Sequence, residues 1–371
     1  SNHLRYYCID VFSLLKVGCA FLQGEERMKI KDLRFTEKKW DFVKPFHIAN
    51  NVSTSKVNIE VELILSDGTI GLGESSSSFR VNGESGAAIF QLQKEILEMI
   101  KDLDVRDYRR IFAKLDAYSR TAPSLKAAIQ FATLHAFSRS ISTPVYQILG
   151  GMKDFVETDK TVSIGSLEET VHDAKEIFEA GHKVIKMKVG EDVKSDVARV
   201  LAVNDEIKGV RYVIDANTGY TAKEALRFID AMYRNDVPVG IFEQPVPAED
   251  FEGLKIIRQG SMYPVGADES AKTRYDVMRL IKEGAVDYVN IKLMKSGLSD
   301  ALAIVEMCNS AGIGLMIGCM SESGIGVSQS VHFAAGTGAF TYHDLDSHLL
   351  LKDVDPVGFR QEKDRQYPIL F

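Results

Sequence analysis

The sequence predicts an α/β protein whose larger part is a barrel of eight strand–helix units. After Gly150, short apolar or β-branched runs alternate with amphipathic helical segments, as in a parallel sheet with crossover helices. The polar residues near the ends of these runs recur at even steps, and eight units of one strand and one helix close into a barrel. The runs are Thr161–Ile164, Val184–Lys188, Tyr212–Asp215, Gly240–Glu243, Val265–Asp268, Tyr288–Lys292, Gly314–Cys319 and Thr341–Asp344.

The segment before the barrel has a different pattern, which predicts an α+β unit over residues 29–150. Val57–Leu63 alternates apolar and polar residues with the period of a half-buried strand. Ser66-Asp67-Gly68 is typical of a hairpin turn, and Thr69–Glu74 follows as the next strand. From residue 84 to 149 the apolar spacing becomes helical. We therefore expect the barrel to occupy residues 151–349.

Residues 1–27 differ from the rest, and we interpret them as a leader or tag outside the fold. Their apolar stretch Val11–Leu22 is interrupted by Lys16 and is too short to span a bilayer. A signal peptide is the alternative interpretation. The globular part is expected to begin at Met28-Lys29.

The overall composition narrows the class of protein. The formal net charge of -7 argues against nucleic acid as the main partner, because a phosphate-binding surface needs a basic excess. No other segment is apolar enough for a transmembrane helix, so no membrane partner is expected. The four cysteines form no CxxC pair, which argues against zinc and suits a reducing compartment. We expect a cytoplasmic protein.

Three carboxylates end three successive predicted strands: Asp215, Glu243 and Asp268. Neighbouring strands lie about 4.8 Å apart, so these side chains can converge on one point at the carboxyl end of the barrel. Hard oxygen ligands without His or Cys favour Mg²⁺, or Mn²⁺, over zinc. The alternative is that they form structural ion pairs or cap the following helices.

Two lysines, Lys188 and Lys292, fall on the second and sixth predicted strands, which face each other across the barrel. A carbon atom held above the metal would meet one lysine on each face. An α-proton beside a carboxylate is very weakly acidic, and a metal on the carboxylate oxygens would stabilise the enediolate. One base on each face predicts epimerisation or racemisation. The lysines could instead bind a phosphate or carboxylate.

Five ordered motifs resemble the enolase superfamily, in its muconate-lactonizing-enzyme subgroup. Lys186-Met187-Lys188 resembles the KxK motif of that subgroup, and the other four are Asp215-Ala216-Asn217, Glu243-Gln244-Pro245, Asp268-Glu269-Ser270 and Asn290–Gly297. The resemblance covers residues 29–371. It implies a modified TIM barrel of the (β/α)7β type with an N-terminal α+β capping domain, with which the tail 350–371 should pack. It also implies a homo-oligomer.

Asp344-Leu345-Asp346, after the eighth predicted strand, resembles the DxD motif of the dipeptide epimerases. In that family the two carboxylates hold the free α-ammonium of the substrate, which implies a dipeptide substrate here. The same resemblance places Thr161 and Lys186 at the substrate carboxylate, and Cys319 and Ser321 against the substrate. The alternative for the two aspartates is a helix cap and a solvated side chain.

One position departs from the L-Ala-D/L-Glu epimerases. Their Arg, which pairs with the substrate glutamate, is replaced here by Asn51, and the surrounding loops offer Phe46, Ile48 and Phe79. We therefore expect a neutral or aromatic second residue, although Arg80 could restore acidic specificity. The alternatives are an L-Ala-D/L-Glu epimerase, a cycloisomerase or o-succinylbenzoate synthase on the same scaffold, and a barrel that only binds small molecules.

Overall fold

The computed structural model describes residues 28–48 and 51–371, except for the side chains of Ile48 and Asn51. The predicted leader, residues 1–27, lies outside the described part. No helix within the described ranges has the length and apolar character needed to cross a membrane.

The N-terminal unit is an antiparallel sheet of three strands covered by helices. Its strands are β1 (Ile30–Ile48), β2 (Asn51–Leu65) and β3 (Ile70–Ser75), in that order across the sheet. The helices are α1 (Phe79–Asn82), α2 (Gly86–Gln91), α3 (Gln93–Ile100), α4 (Tyr108–Tyr118), α5 (Pro123–Ser140) and α6 (Val145–Ile148), with a 3₁₀ turn at Val105–Asp107.

The sheet packs closely on α5. A Cβ atom added at Gly71 would lie 2.0 Å from the backbone oxygen of Ala132, so only glycine allows this approach. The β1–β2 hairpin is much longer than the predicted strand Val57–Leu63. This length carries the hairpin tip to the barrel, where Phe46 and Ser53 line the cavity described below.

The barrel prediction is confirmed, with eight parallel strands ordered as they follow in the chain. They are β5 (Lys160–Val162), β6 (Val184–Lys188), β7 (Arg211–Asp215), β8 (Val239–Glu243), β9 (Val265–Ala267), β10 (Tyr288–Ile291), β11 (Gly314–Gly318) and β12 (Tyr342–Asp344). The helices between them are α7 (Leu167–Glu179), α8 (Val193–Glu206), α9 (Ala222–Arg234), α10 (Phe251–Gly260), α11 (Arg274–Glu283), α12 (Leu293–Ala311) and α13 (Gly324–Thr337), and α14 (Ser347–Leu350) follows β12.

The first and last barrel strands, β5 and β12, are not joined by a backbone ladder in the described sheet. Local hydrogen bonds bridge this seam. Asp159 N–H donates to the His343 carbonyl at 2.8 Å, and Leu345 N–H donates to Thr158 Oγ1 at 2.9 Å. The barrel is therefore nearly closed, and side chains of the seam position the segment that follows β12.

The C-terminal tail contacts both units. Its strands β13 (Phe359–Glu362) and β14 (Arg365–Pro368) form a small antiparallel sheet with β4 (Val156–Glu157), just before the barrel. The ring of Phe371 stacks on His135 of α5 with centroids 3.9 Å apart. The tail thus ties the N-terminal helices to the base of the barrel.

Candidate active site

Charged side chains cluster at the carboxyl ends of the barrel strands. Lys188 of β6, Asp215 of β7 and Glu243 of β8 are direct neighbours in the strand register. Asp215 and Glu243 are fully buried, and Asp268 after β9 is 1% exposed. The three predicted metal carboxylates therefore end adjacent strands inside the barrel, where uncompensated negative charge would be costly.

Lysines supply the compensating charge in this structure. Lys186 Nζ lies 3.0 Å from Asp215, 2.9 Å from Glu243 and 2.5 Å from Asp344. Lys188 Nζ lies 2.6 Å from Asp215 Oδ2. Burial alone would raise the pKa of Asp215, but Lys188 and Lys186 outweigh burial and hold that pKa below its ordinary range.

Asp268 has two lysine partners of its own. Lys292 Nζ lies 2.7 Å from Oδ2 and Lys295 Nζ lies 2.5 Å from Oδ1. Glu243, which shares Lys186 with other carboxylates, has its pKa raised to about 7 by burial and by Asp215. Asn290 donates to Glu243 Oε1 at 2.6 Å, whereas Oε2 faces the Lys186 ammonium at 2.9 Å.

Asp215, Glu243 and Asp268 offer carboxylate oxygens, the ligand type that suits a hard divalent cation. In this structure, however, their oxygens do not converge on a single point. Two groups in the described part have three ligand atoms all within 4.8 Å of one another: the partly exposed His172, Asp173 and Glu176, and the buried Cys319, Asp344 and Asp346. The three predicted metal carboxylates are not among these groups. Ammonium groups stand at their oxygens, and a bound Mg²⁺ would replace that positive charge.

A cavity of about 310 Å³ opens above this cluster, between the barrel and the N-terminal unit. Lys188 and Lys292 both line it, from strand ends on opposite sides of the barrel. Thr161, Cys319, Ser321, Asp344 and Asp346 line it as well. The structure thus brings the predicted lysine pair and five of the six predicted substrate-binding residues to one cavity, whereas Lys186 is fully buried and does not line it.

The N-terminal unit holds one of the barrel loops over this cavity. The Ser321 carbonyl accepts hydrogen bonds from Asn58 Nδ2 at 2.9 Å and Ser76 Oγ at 3.1 Å. Glu74, fully buried on β3, accepts the Ser323 N–H at 2.8 Å and the Ser323 hydroxyl. The N-terminal unit therefore holds Ser321, a residue that lines the cavity, through its backbone carbonyl.

We expect the stability contribution of Glu74 to depend on pH. Burial raises the pKa of this carboxyl from 4.5 to about 7, against the hydrogen bonds from Ser323. Because its pKa is higher in the folded state, Glu74 binds a proton more readily there than in the unfolded state. Its contribution to the free energy of unfolding is therefore present below pH 4.5 and is lost as the pH rises towards 7. The change in free energy of unfolding caused by Glu74→Gln should differ by about 3 kcal/mol between the ends of this window.

Urea unfolding at both ends of the window measures this difference. Glu98→Gln, at a surface-exposed carboxylate of α3, is the matched control. An equal effect of Glu74→Gln at both pH values would contradict the prediction.

Comparison with known proteins identifies the architecture and its family. The family described as "Enolase C-terminal domain-like" matches residues 169–365. An L-Ala-D/L-Glu epimerase of Thermotoga maritima is 54% identical over 325 residues, which cover 88% of this chain and 94% of the relative. An aromatic dipeptide epimerase of Herpetosiphon aurantiacus is 37% identical over 319 residues, or 85% of this chain and 88% of the relative.

This chain belongs to the enolase superfamily, in its dipeptide epimerase family. It is accordingly an isomerase, and the names of its relatives argue against a barrel without catalytic function. A solved dipeptide epimerase of Enterococcus faecalis, complexed with Mg and the dipeptide L-Leu-L-Tyr, superposes with a TM-score of 0.88 at 33% identity. That alignment covers 92% of this chain and 97% of the solved one.

The structure locates some, but not all, of the residues predicted to set the substrate specificity of this epimerase. Phe46, Phe79 and Arg80 line the cavity. The side chains of Ile48 and Asn51 lie outside the described part, so their predicted roles stay predictions.

Cys319 is buried among Asp344, Asp346 and Glu322. Burial is the main cause that raises the pKa of its thiol well above the ordinary value, and these carboxylates raise that pKa further. A thiolate nucleophile is therefore disfavoured.

Sequence reasoning missed three polar residues of this epimerase. Asn290 precedes Lys292 by two residues, so strand alternation could have placed it on the same face. Lys295 follows one turn later and also donates to the Asn290 carbonyl at 2.9 Å. Lys56 of β2 lines the cavity and donates to the Ser77 carbonyl. Nothing in the sequence around Lys56 indicates this position, because the packing of the N-terminal unit on the barrel creates it.

Proposed function

We propose that this enzyme is a Mg²⁺-dependent dipeptide epimerase that inverts the α-carbon of the second residue of an L-Xaa-L-Xaa dipeptide. One observation carries the proposal: Lys188 and Lys292 enter a single cavity from opposite sides of the barrel, and Asp344 and Asp346 line the same cavity. A base on each face and an anionic site for an ammonium group suit a zwitterionic substrate with an α-proton.

The charges of the cavity support one orientation of the substrate. The free ammonium binds at Asp344 and Asp346, which are 5% and 2% exposed. The α-carboxylate at the other end of the dipeptide lies towards Lys186 and Thr161. Asp215, Glu243 and Asp268 would hold the Mg²⁺, or Mn²⁺ in its place, which would supply positive charge against the negative charge that develops on the substrate carboxylate. Both ends of the dipeptide are thereby fixed before proton transfer begins.

Proton transfer then needs only the two lysines. The lysine on one face removes the α-proton, and the ammonium of the other lysine returns a proton to the opposite face. The substrate α-carbon is inverted, and each lysine ends in the protonation state in which the other began. In this structure, burial lowers the pKa of Lys292, but Asp268 outweighs burial and the pKa lies above its ordinary value. A cation at Asp268 would weaken this effect and favour the neutral base.

A neutral or aromatic second residue is favoured by the side of the cavity formed by the N-terminal unit. Phe42, Phe46 and Phe79 line that side, and Phe79 is 79% exposed, leaving its ring free for contact with substrate. A second candidate, L-Ala-L-Glu, is favoured by the Lys56 ammonium in the same cavity and by the name of the Thermotoga maritima relative. Deuterium exchange into an L-Ala-L-Xaa library in D₂O with Mg²⁺ tests both. If no dipeptide exchanges, the proposed function is wrong.

Asp344→Asn should lower kcat/KM for a dipeptide by about 10- to 100-fold, mainly through KM. A hydrogen bond to a charged group contributes about 1.5–3 kcal/mol, and the substituted amide cannot supply the charge. The cycloisomerase and o-succinylbenzoate synthase substrates carry no ammonium group. Unchanged dipeptide kinetics together with activity on such a substrate would therefore favour those reactions.

We also propose a cytoplasmic homo-oligomer, as the cysteine usage and the family resemblance imply. Size-exclusion chromatography with light scattering tests the assembly, and a monomer at micromolar concentration would contradict it.

A further inference from the structure

A third carboxyl group lies beneath the ammonium site. Asp159 is the residue just before β5 and precedes Thr161 by two residues, and its carboxyl group lies among charged groups of the barrel interior, Asp344, Asp346, Lys186 and Glu243. Thr161 lines the active-site cavity, which places Asp159 one layer deeper. Asp159 is 1% exposed.

The layer that contains Asp159 is otherwise largely apolar. Val213, Ile241, Met316 and Tyr342 form a cluster inside the barrel, and three of them precede a site carboxylate by two residues. Neither carboxyl oxygen of Asp159 has a hydrogen-bond partner in the described chain. Its backbone N–H is engaged, at 2.8 Å, by the His343 carbonyl beside Asp344. Asp159 is therefore held at the seam without a polar partner for its side chain.

The charged groups that act most strongly on Asp159 are Asp344 at the end of β12, Asp346 just after it, Lys186 of β6 and Glu243 of β8. Lys186 is the one cation in this set, and it is already shared by Asp215, Glu243 and Asp344. In this structure, where Lys186 is shared among three carboxylates, an ionised Asp159 would add a buried negative charge without a cation of its own, at a high desolvation cost.

A second cavity reaches Asp159 from the opposite end of the barrel. It has a volume of about 500 Å³ and is lined by Asp159 and by residues at the starts of strands, among them Val184 and Tyr342. His343, whose Nε2 has no hydrogen-bond partner in the described chain, lines it too. Asp159 can therefore exchange a proton with solvent from below while a substrate covers the site from above.

We propose that Asp159 is a positioning residue of the ammonium site, protonated in the free enzyme, and that it releases its proton through the lower cavity when a substrate ammonium binds at Asp344 and Asp346. The O–H bond of the carboxyl breaks, the proton passes to water, and the remaining carboxylate balances the incoming ammonium. This proposal rests on the proposed function for the identity of the ligand. Burial, and after it Asp344 and Asp346, raise the pKa of Asp159 well above its ordinary value, as such a role requires.

Proton release on binding tests the proposal directly. The Mg²⁺-loaded enzyme is titrated near neutral pH with an equilibrated mixture of the two epimers of a dipeptide, in buffers of different ionisation enthalpy. We expect release of about one proton per site by the wild type and a clearly smaller release by Asp159→Asn. We also expect KM to rise about tenfold in the variant while kcat changes by less than about twofold, because Asp159 acts on the ammonium end only.

A matched control separates this role from a general effect of buried acids. Glu84→Gln changes a carboxyl in the N-terminal unit that is 6% exposed and bonded to Ser124, and it should leave the proton count unchanged. Equal proton release by the wild type and Asp159→Asn, or no release by the wild type, would overturn the proposal. If the enzyme catalyses α-proton exchange in dipeptides but releases no proton when they bind, this proposal fails and the proposed function stands.

Infrared spectroscopy of the wild-type enzyme provides a readout that needs no turnover. The free wild-type enzyme should show the carbonyl stretch of a protonated carboxylic acid that disappears when the dipeptide binds. Persistence of every such band on binding would contradict the proposal. If no dipeptide binds, the proposed function fails, whereas a band of the free enzyme that is absent from a folded Asp159→Asn would still support a protonated Asp159.

Discussion

We expect Lys292→Met and Lys188→Met each to lower net epimerisation by roughly 10²- to 10⁴-fold. This is the range that a positioned acid or base contributes, and methionine keeps the length of the side chain without the amine. Because each lysine serves one face, we expect each variant to lose α-proton exchange from one starting epimer and to keep part of the exchange from the other. Exchange from the L,L and the L,D dipeptide in D₂O, followed by NMR, measures both effects.

Lys295→Met is the matched control for this pair. Lys295 also contacts Asp268, at 2.5 Å, but it is not among the residues that line the cavity. The substitution should weaken catalysis equally from both epimers, because Lys295 acts through the Asp268 carboxylate and not on one face of the substrate. The same loss from both epimers in Lys188→Met and Lys292→Met would contradict the assignment of one base to each face.

Removal of divalent cations should lower activity by about 10³-fold or more, and Mg²⁺, or Mn²⁺, should restore it. Lewis-acid stabilisation of the developing charge contributes several kcal/mol, of which about 4 kcal/mol corresponds to this factor. Glu243→Gln should also weaken Mg²⁺ binding measured by calorimetry in the absence of substrate. Glu243 is the informative choice because its lysine contact, Lys186 at 2.9 Å, is shared with two other carboxylates.

Asp173→Asn is the control for the metal experiment. Asp173 belongs to the other, partly exposed group of ligand-type side chains, with His172 and Glu176. If cation binding follows Asp173 and not Glu243, the metal has been assigned to the wrong carboxylates. Full activity after exhaustive chelation would contradict the metal requirement itself.

The barrel could be predicted from the sequence because each strand–helix unit depends on a short continuous stretch of residues. A strand and its helix are encoded by neighbouring residues, and the polar residue that ends the strand follows from the same pattern. Lys188, Asp215 and Lys292 were placed this way, and the structure brings them to one cluster. The length of the β1–β2 hairpin was underestimated, because its outer part projects beyond the sheet core and lacks the alternation of a half-buried strand.

Contacts between segments that are far apart in the sequence could not be predicted from the sequence. Lys56 and Asn58 belong to a strand far from the barrel in sequence, and they reach the site only because the N-terminal unit docks on the strand ends. The pairing of Lys186 with three carboxylates at once is likewise a property of closure, since it joins β6, β7, β8 and β12.

The sequence by itself determined the strand order and which charged residues stand at the strand ends, while the roles assigned to those residues stay predictions. Periodicity along one chain is enough for these, because parallel strands end at one edge of the barrel. The tertiary structure decided which charges meet and which stay without a partner, as Asp159 does at the seam between β5 and β12. Burial and the distance between charges set these energies, and both depend on residues brought together from across the chain.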